Sequence, residues 1–335
     1  MKLSIGIVGL PNVGKSTLFK LITNQEVNIA NYPFATIDPN IGIVPVPDER
    51  LEKLAKLNGS KKIIPAVVEF YDIAGLVKGA NKGEGLGNQF LSHIREVNAV
   101  VEVVRCFELG EIIHIENKVD PLSDIDTVNT ELILKDLEIV EKRIAKLEGE
   151  ARTGDNKKIK DFETIKKIQD GLNKNILAIN LDAELINEPV IKDLNLLTAK
   201  PQIYLLNGAP EDVSEELKAK IKSLQADYLI SDLAADQNVN ELIKKAYGML
   251  GLISFLTTGE DETRAWTIRK EAKAPEAAGA IHTDFENKFI RAEAINWEKL
   301  LEAGGWVKAK QKGLIRIEGK DYEVQDGDVM EIRHS

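Results

Sequence analysis

Over the first 120 residues, short and nearly continuous apolar runs alternate with segments whose apolar residues recur every three to four positions. The runs at 3–9 (Leu-Ser-Ile-Gly-Ile-Val-Gly), 63–71 and 98–106 (Asn-Ala-Val-Val-Glu-Val-Val-Arg-Cys) have the make-up of strands buried on both faces. Leu18, Phe19 and Ile22 mark the apolar side of a helix over 15–22. A loop rich in Asn, Pro and Asp covers 28–40, and a glycine-rich loop runs from Gly75 to Gly87. This alternation predicts an α/β domain with a parallel sheet and helices on both faces.

The period changes after Asp120. Ile133, Leu137, Val140, Ile144 and Leu147 are spaced as a heptad seam. A polar turn from Gly149 to Lys158 follows, and then a second helical stripe of Phe162, Ile165, Ile168 and Leu172. The pattern predicts an antiparallel helical hairpin inserted into the α/β domain. Strands resume at 202–206, leading to Asn207, and at 228–230, ending at Ser231. From about 250 onward, Pro275, Gly279, Gly304, Gly305, Gly313, Gly319 and Gly327 punctuate short strand-like pieces, which predicts a separate small domain. The expected boundaries are therefore 1–120 with 200–249 for the α/β domain, 121–199 for the insertion and 250–335 for the last domain.

Composition narrows the class. At 43% hydrophobic and 29% charged residues the chain is an ordinary globular protein. No apolar stretch reaches the roughly 18 residues of a membrane span. The start, Met1-Lys2-Leu3-Ser4-Ile5, enters the first strand without a signal-peptide layout, so a cytoplasmic location is expected. The single cysteine, Cys106, excludes an internal disulfide framework and reads as a small buried hydrophobe. A net charge of −10 argues against wholesale wrapping of nucleic acid. Residues 135–174, however, hold eleven Lys/Arg and nine Asp/Glu, which makes the hairpin locally basic. Two readings of it stand: a solvated helix pair, or an arm that touches an RNA-containing partner.

The chemistry is carried by Gly9-Leu10-Pro11-Asn12-Val13-Gly14-Lys15-Ser16-Thr17, placed between the first strand and the first helix. In a Gly-x-x-x-x-Gly-Lys-Ser loop the glycines let backbone N–H groups face phosphate oxygens. Lys15 sets a positive charge against the β- and γ-phosphates, and the Ser16 hydroxyl ligates Mg²⁺. The helix that starts at Lys15 points its positive end at the same anion. Two further metal partners are expected. Asp72 ends the second strand, where a carboxylate holds the Mg²⁺ shell. Thr36 lies in the loop between helix and next strand, where a switch threonine reaches the metal when the γ-phosphate is present. Gly75 is positioned to donate its N–H to the γ-phosphate. Many Ras relatives then carry a Gln that orients the attacking water. Here that residue is Leu76, so another group or a bound partner must act; His114 is the candidate inside the α/β domain, set against a purely structural role.

Guanine readers carry Asn-Lys-x-Asp after a strand. Asn117-Lys118-Val119-Asp120 matches literally, but the run before it is short and interrupted, and the helical insertion starts directly after it. The better-placed loop is Asn207-Gly208-Ala209-Pro210-Glu211. Its Asn can bond a purine N7 or an adenine 6-amino group. It lacks the Lys and Asp that select guanine, so the chemistry favours adenine.

These motifs resemble, over nearly the whole chain, the Obg-like ATPases, the YchF family of translation-factor-related P-loop NTPases. Gly9–Thr17, Asp72-Ile-Ala-Gly-Leu-Val-Lys-Gly-Ala80 and Gly83-Glu-Gly-Leu-Gly-Asn-Gln-Phe90 are similar to its nucleotide motifs. Arg264-Ala-Trp-Thr267, Ile281-His-Thr-Asp-Phe285 and Asp326-Gly-Asp-Val-Met330 are similar to its TGS domain. The resemblance implies a Ras-like P-loop NTPase domain, an inserted antiparallel helical (coiled-coil) arm and a small C-terminal β-grasp TGS domain. It implies ATP preferred over GTP, slow hydrolysis with Mg²⁺, and binding to the ribosome, as large subunit and assembled particle, with RNA contact through arm and TGS domain. It carries phosphate binding onto Asn12, Val13, Gly14, Lys15, Ser16 and Thr17, the metal onto Ser16 and Thr36, adenine onto Asn207 and Gly208, and hydrolysis onto His114. The remaining readings are a GTPase using Asn117–Asp120 and a nucleotide-gated binding module with negligible turnover. Three departures touch the base side: Glu211 stands one residue later than the family's Asn-x-x-Glu, Ser231-Asp232 replaces Ser-Ala, and the segment before the TGS domain is short.

Overall fold

The computed structural model describes residues 4–24, 40–73, 94–108, 119–151, 155–236 and 238–335. Among them the strands are, in chain order, β1 Ser4–Val8, β2 Ile41–Pro45, β3 Lys62–Ile64, β4 Val67–Asp72, β5 Ala99–Arg105, β6 Gln202–Asn207, β7 Asp227–Ser231, β8 Leu252–Thr258, β9 Glu262–Arg269, β10 Phe289–Asn296, β11 Arg316–Glu318 and β12 Asp328–His334. The chain forms two compact units. The first holds residues 4–24, 40–42 and those described between 69 and 239; the second holds 43–68 and 240–335.

The sheet of the first unit has the order β2-β4-β1-β5-β6-β7. β1 pairs in parallel with β4 and β5, β5 with β6, and β6 with β7. β1, β5 and β6 are buried along their whole length, which is why they read as continuous apolar runs rather than alternations. Ile7 lies opposite Asp72, Arg105 opposite Asn207, and Asn207 opposite Ser231. The carboxyl ends of these five strands are thereby gathered on one edge, the edge where open α/β sheets bind ligands.

One expected strand is two. The run at 63–71 breaks at Pro65, which has no N–H to continue a ladder, into β3 and β4. Only β4 belongs to the nucleotide-type sheet; β3 pairs in parallel with β9, Lys62 opposite Glu262, in the second unit.

The inserted arm is a helix Pro121–Ala151 that returns as Asn156–Asn173. Asp155 caps the returning helix, its carboxylate accepting from the N–H groups of Lys157 and Lys158 at 2.8 and 3.4 Å. Ile133, Val140, Leu147, Ile165, Ile168 and Leu172 form one buried cluster, so both stripes face each other. Leu137, Ile144 and Phe162 flank it, half-buried.

The second unit has a mixed sheet ordered β11-β10-β12-β8-β9-β3, with the helix Ala274–Ile281 packed on it. β12 and β8 run parallel, and β8–β9, β10–β12 and β10–β11 antiparallel, a β-grasp arrangement. Small residues let the helix approach closely: Ala274, Ala277 and Ala278 meet Ala292 and Ala294 in the core. Residues 43–68 are tied in by side chains. The Arg50 guanidinium donates to Asp326 at 2.7 Å, Asn58 to Thr258 Oγ1 at 2.8 Å, and Ser60 Oγ to the Gly259 carbonyl at 2.6 Å. Residues 240–249 join the same unit, because the Tyr247 hydroxyl lies 2.9–3.1 Å from Ile253 O, Ser254 Oγ and Thr267 Oγ1. No helix among the described residues is long and apolar enough to cross a membrane.

Candidate functional site

The phosphate-type loop leaves β1 through three backbone positions in the left-handed region: Gly9 at φ 137°, Asn12 at 63° and Gly14 at 111°. Two of these leave no room for a side chain. A Cβ on Gly9 would lie 2.4 Å from the carbonyl of Val103 in β5, and one on Gly14 would lie 2.5 Å from Asn207 Nδ2. The loop is therefore pressed against β5 on one side and against the last residue of β6 on the other.

The helix Lys15–Thr23 follows at once. Gly14 is its N-cap, no side chain caps it, and its first turn carries no acidic residue. Its positive end is left for an anion. Ser16 and Thr17 are exposed on that turn, while Val13 is buried beneath it. Lys15 is buried, and its ammonium donates to the Leu10 carbonyl at 2.5 Å, curling over the loop. Burial lowers its pKa to about 8, and the nearby charge of Asp72 opposes that shift. Asp72 itself is buried at the end of β4, its N–H bonded to the Asn40 carbonyl at 3.0 Å. Lys15, Ser16 and Asp72 thus come together at one edge.

Asn207 joins this edge to the loops that follow β6 and β7. Its side-chain amide donates to the Val13 carbonyl at 2.8 Å and accepts from the Leu233 N–H at 3.1 Å. Its own carbonyl accepts from Cys106 N–H at 2.8 Å, and Gly208 N–H donates to Ser231 O at 3.2 Å. One buried side chain therefore ties together the phosphate-type loop, the end of β6 and the loop after β7.

The rest of that loop is shaped by carboxylates acting as caps. Pro210–Asp212 forms a turn in which Asp212 accepts from Ala209 N–H at 2.9 Å, while Glu211 is exposed. Asp232 accepts from Ala234 N–H at 2.9 Å, and Ser231 Oγ donates to Asp236 at 3.1 Å. Leu233 and Asp212 were not singled out by sequence. Leu233 borders Gly14 and anchors Asn207; its only local signal is that it follows the end of β7. Cys106 lies under this loop, and burial, with Asp212 and Asp124 nearby, pushes its thiol up to about 12, so it is inert.

Asp120, the last residue of the literal Asn-Lys-x-Asp match, is a helix cap: its carboxylate accepts from Ser123 N–H at 3.2 Å, at the start of the arm helix. Thr36, Gly75, Leu76, His114, Asn117 and Lys118 lie outside the described residues.

Comparison with known proteins gives a consistent result. Residues 4–142 match the family model described as a 50S ribosome-binding GTPase. Residues 252–335 match the model of the C-terminal domain of YchF-type GTPases, described as a protein of unknown function. The chain is similar to the ribosome-binding ATPase YchF of Bacillus subtilis (strain 168), with 46% identity over 363 residues covering 99% of each chain. It is also similar to the protein of that name from Escherichia coli O157:H7, with 42% identity over 357 residues and 98% of each chain covered. Among solved structures it is similar to the Schizosaccharomyces pombe YchF GTPase, at 37% identity and a TM-score of 0.88, over 99% of this chain and 98% of that one.

Proposed function

Because this chain belongs to the YchF family of P-loop nucleoside triphosphate hydrolases, we infer that it binds and slowly hydrolyses ATP and acts as a nucleotide switch on the ribosome. The relatives' names divide between ATPase and GTPase. The observation that carries the adenine reading is the state of the two candidate base readers. Asp120 is engaged as a helix cap, and the loop that Asn207 opens offers neither Lys nor Asp at guanine-reading spacing. Adenine needs only the amide and carbonyl groups that such a loop supplies.

In this reading Asn12 to Thr17 cradle the phosphates, with Lys15 against the β- and γ-oxygens and Gly75 on the γ-phosphate. Ser16, Thr36 and Asp72 complete a shell for Mg²⁺. Hydroxyls and a carboxylate are the hard oxygen donors that this ion takes alongside its waters and the nucleotide phosphates, and the bound ion would neutralise charge on the transferring phosphoryl group. Leu76 cannot polarise water, so His114 is the group proposed to orient it. Asn207 and Gly208 face the base. The ribosome, as large subunit and assembled particle, is the partner, reached in the cytoplasm through RNA contacts of the helical arm and the TGS domain.

The test is a direct comparison of affinities. ATP is expected to bind more tightly than GTP in the presence of Mg²⁺; tighter GTP binding overturns the adenine reading. Sedimentation with ribosomes over a range of salt tests the partner, with binding that weakens as salt rises as the expected result. No co-sedimentation even at low salt rules the partner out. Hydrolysis that stays undetectable with ribosomes present, and is unchanged by His114→Ala, would leave a nucleotide-gated binding module instead.

A further inference from the structure

The second unit carries an apolar surface that its own packing leaves uncovered. Val307 and Ile317 are 70% and 68% exposed, more than any other large apolar residue described. Sheet register brings the two together. Val307 stands one turn before Lys310 on the helix Trp306–Gln311, so these side chains are neighbours on one helix face. The Lys310 ammonium donates to Glu293 at 3.3 Å, and Glu293 in β10 lies directly opposite Ile317 in β11. Residues directly opposite on paired strands point to the same side of the sheet. Val307 and Ile317 therefore flank the same Lys310–Glu293 pair. β11 ends the sheet, so the patch is open on its outer side.

The rim of the patch is basic. Residues 306–320 hold five Lys/Arg and one Asp/Glu, in a chain whose net charge is −10. Arg333 lies 3.4 Å from Glu293 and directly opposite Arg291 in β10, a pairing of like charges that does not stabilise the sheet. The side chains of Arg291, Lys308 and Lys312 are exposed and have no ion-pair or hydrogen-bond partner among the described residues. Three cations are thus left for an outside partner, around an aliphatic centre. RNA would give such a rim its phosphates but would give the centre little, because its bases stack on aromatic and guanidinium planes rather than on Val and Ile. An apolar core ringed by charge is the layout of a protein interface.

We propose that this face of the second unit, centred on Val307 and Ile317, binds an acidic segment of another protein. Val, Leu or Ile side chains of that segment cover the two aliphatic residues, and its Asp or Glu side chains meet Arg291, Lys308 and Lys312. Charge complementarity selects the partner: the unpaired cations repel a basic segment and gain nothing from a neutral one. The inference does not rest on the nucleotide-switch reading, since none of these residues belongs to the phosphate-type loop, the base loop or the metal shell. RNA contacts of this unit fall on its other surfaces.

The test is selection from an unbiased library of displayed random peptides on the full chain, with the double variant Val307→Ser, Ile317→Ser as counter-target. Both changes fall on exposed side chains; unfolding curves check the fold, and Val307→Ser alone replaces the pair should the pair unfold. Peptides that prefer the wild type are expected to be rich in Asp and Glu together with Leu, Ile or Val. A synthesised winner is expected to lose about tenfold in affinity with Val307→Ser, and about threefold with Lys312→Gln, with a weaker dependence on salt. Winners without an excess of acidic and aliphatic residues, or no peptide that prefers the wild type, overturn the proposal. A random-sequence RNA pool that binds more tightly than the winner and is displaced by it overturns it in favour of an RNA site. Self-association of the chain that is lost with Val307→Ser overturns it in favour of a second copy.

Discussion

The phosphate-type loop and the loop proposed to face the base share one residue, Asn207, yet they are built by different means. The phosphate-type loop is fixed by backbone exclusion: Gly9 and Gly14 have left-handed φ values and touch a carbonyl and an amide where any Cβ would collide. The loop after β6 is fixed by side-chain carboxylates that cap turns, Asp212 on Ala209 and Asp232 on Ala234. Exclusion of a Cβ tolerates no substitution, whereas a capped turn keeps its shape with several residues. The phosphate loop therefore keeps a rigid motif, and the base loop can depart from the family pattern without losing the fold around it.

The contrast is broken most sharply at Lys15. Its buried ammonium is the charge closest to the loop, and nothing else described at this edge replaces it. Lys15→Met is expected to lower single-turnover hydrolysis about 100-fold or more. A loss below tenfold would mean that the phosphate charge is met elsewhere. Asn207→Ala comes next. It strands the Val13 carbonyl and the Leu233 N–H, a cost of about 1–3 kcal/mol for buried groups left unpaired. Because Val13 belongs to the phosphate loop, affinity for inorganic tripolyphosphate, which has no base, should fall about tenfold as well. If only base-bearing ligands weaken, the two sides are independent and the shared-residue view fails.

Protonation separates binding from folding. The pKa of Lys15 is lowered to about 8 by burial, against 10.5 as its ordinary value. Bound phosphates favour the charged form, so above pH 8 nucleotide binding takes up a proton, and affinity should fall towards tenfold per pH unit. Calorimetry in buffers of different ionisation enthalpy should register little proton uptake at pH 7 and close to about one proton at pH 9. Stability of the nucleotide-free protein has the opposite sign. Between about 8 and 10.5 the unfolded chain holds the extra proton, so the Lys15 contribution makes folding more favourable as pH rises. Lys200, also lowered to about 8 by burial, adds in the same direction. Affinity that is flat from pH 7 to 9 would place the Lys15 pKa elsewhere.

What could be read from sequence was whatever is encoded locally. The phosphate loop, the strands around it and both stripes of the arm are periodic or motif-bound, and Ile133, Val140, Leu147, Ile165, Ile168 and Leu172 do form the arm's buried cluster. The literal Asn-Lys-x-Asp match ends on Asp120, whose carboxylate caps the arm helix, a local contact that a motif match does not show. What was not legible depends on distant partners. β3 joins the second unit by pairing with β9, 200 residues away, and nothing in Lys62–Ile64 signals that. Glu102, inside the apolar run of β5, is fully buried, its carboxyl raised well above the usual range by desolvation and by Asp124. Arg95 likewise meets two distant segments, lying 3.5 Å from Asp136 and sharing two hydrogen bonds with Asn195, and neither belongs to a motif.

The smallest effect decides how the base side works. The family pattern would give the reading role to the acid that here has become Glu211, yet Glu211 is exposed and its neighbour Asp212 holds the turn by accepting from Ala209 N–H. If the loop acts through its shape, Asp212→Ala should loosen the turn and weaken ATP and GTP alike, by about threefold, with tripolyphosphate unaffected. Glu211→Ala should change the ratio of ATP to GTP affinity by less than about twofold, since an exposed carboxylate hydrogen bond contributes little against water. Each variant removes one carboxylate, so comparing them cancels the loss of one negative charge near a triphosphate. Should Glu211→Ala instead invert the ratio, the exposed acid must reach the base in the complex, and the base side would depend on a single side chain after all, as the phosphate side depends on Lys15.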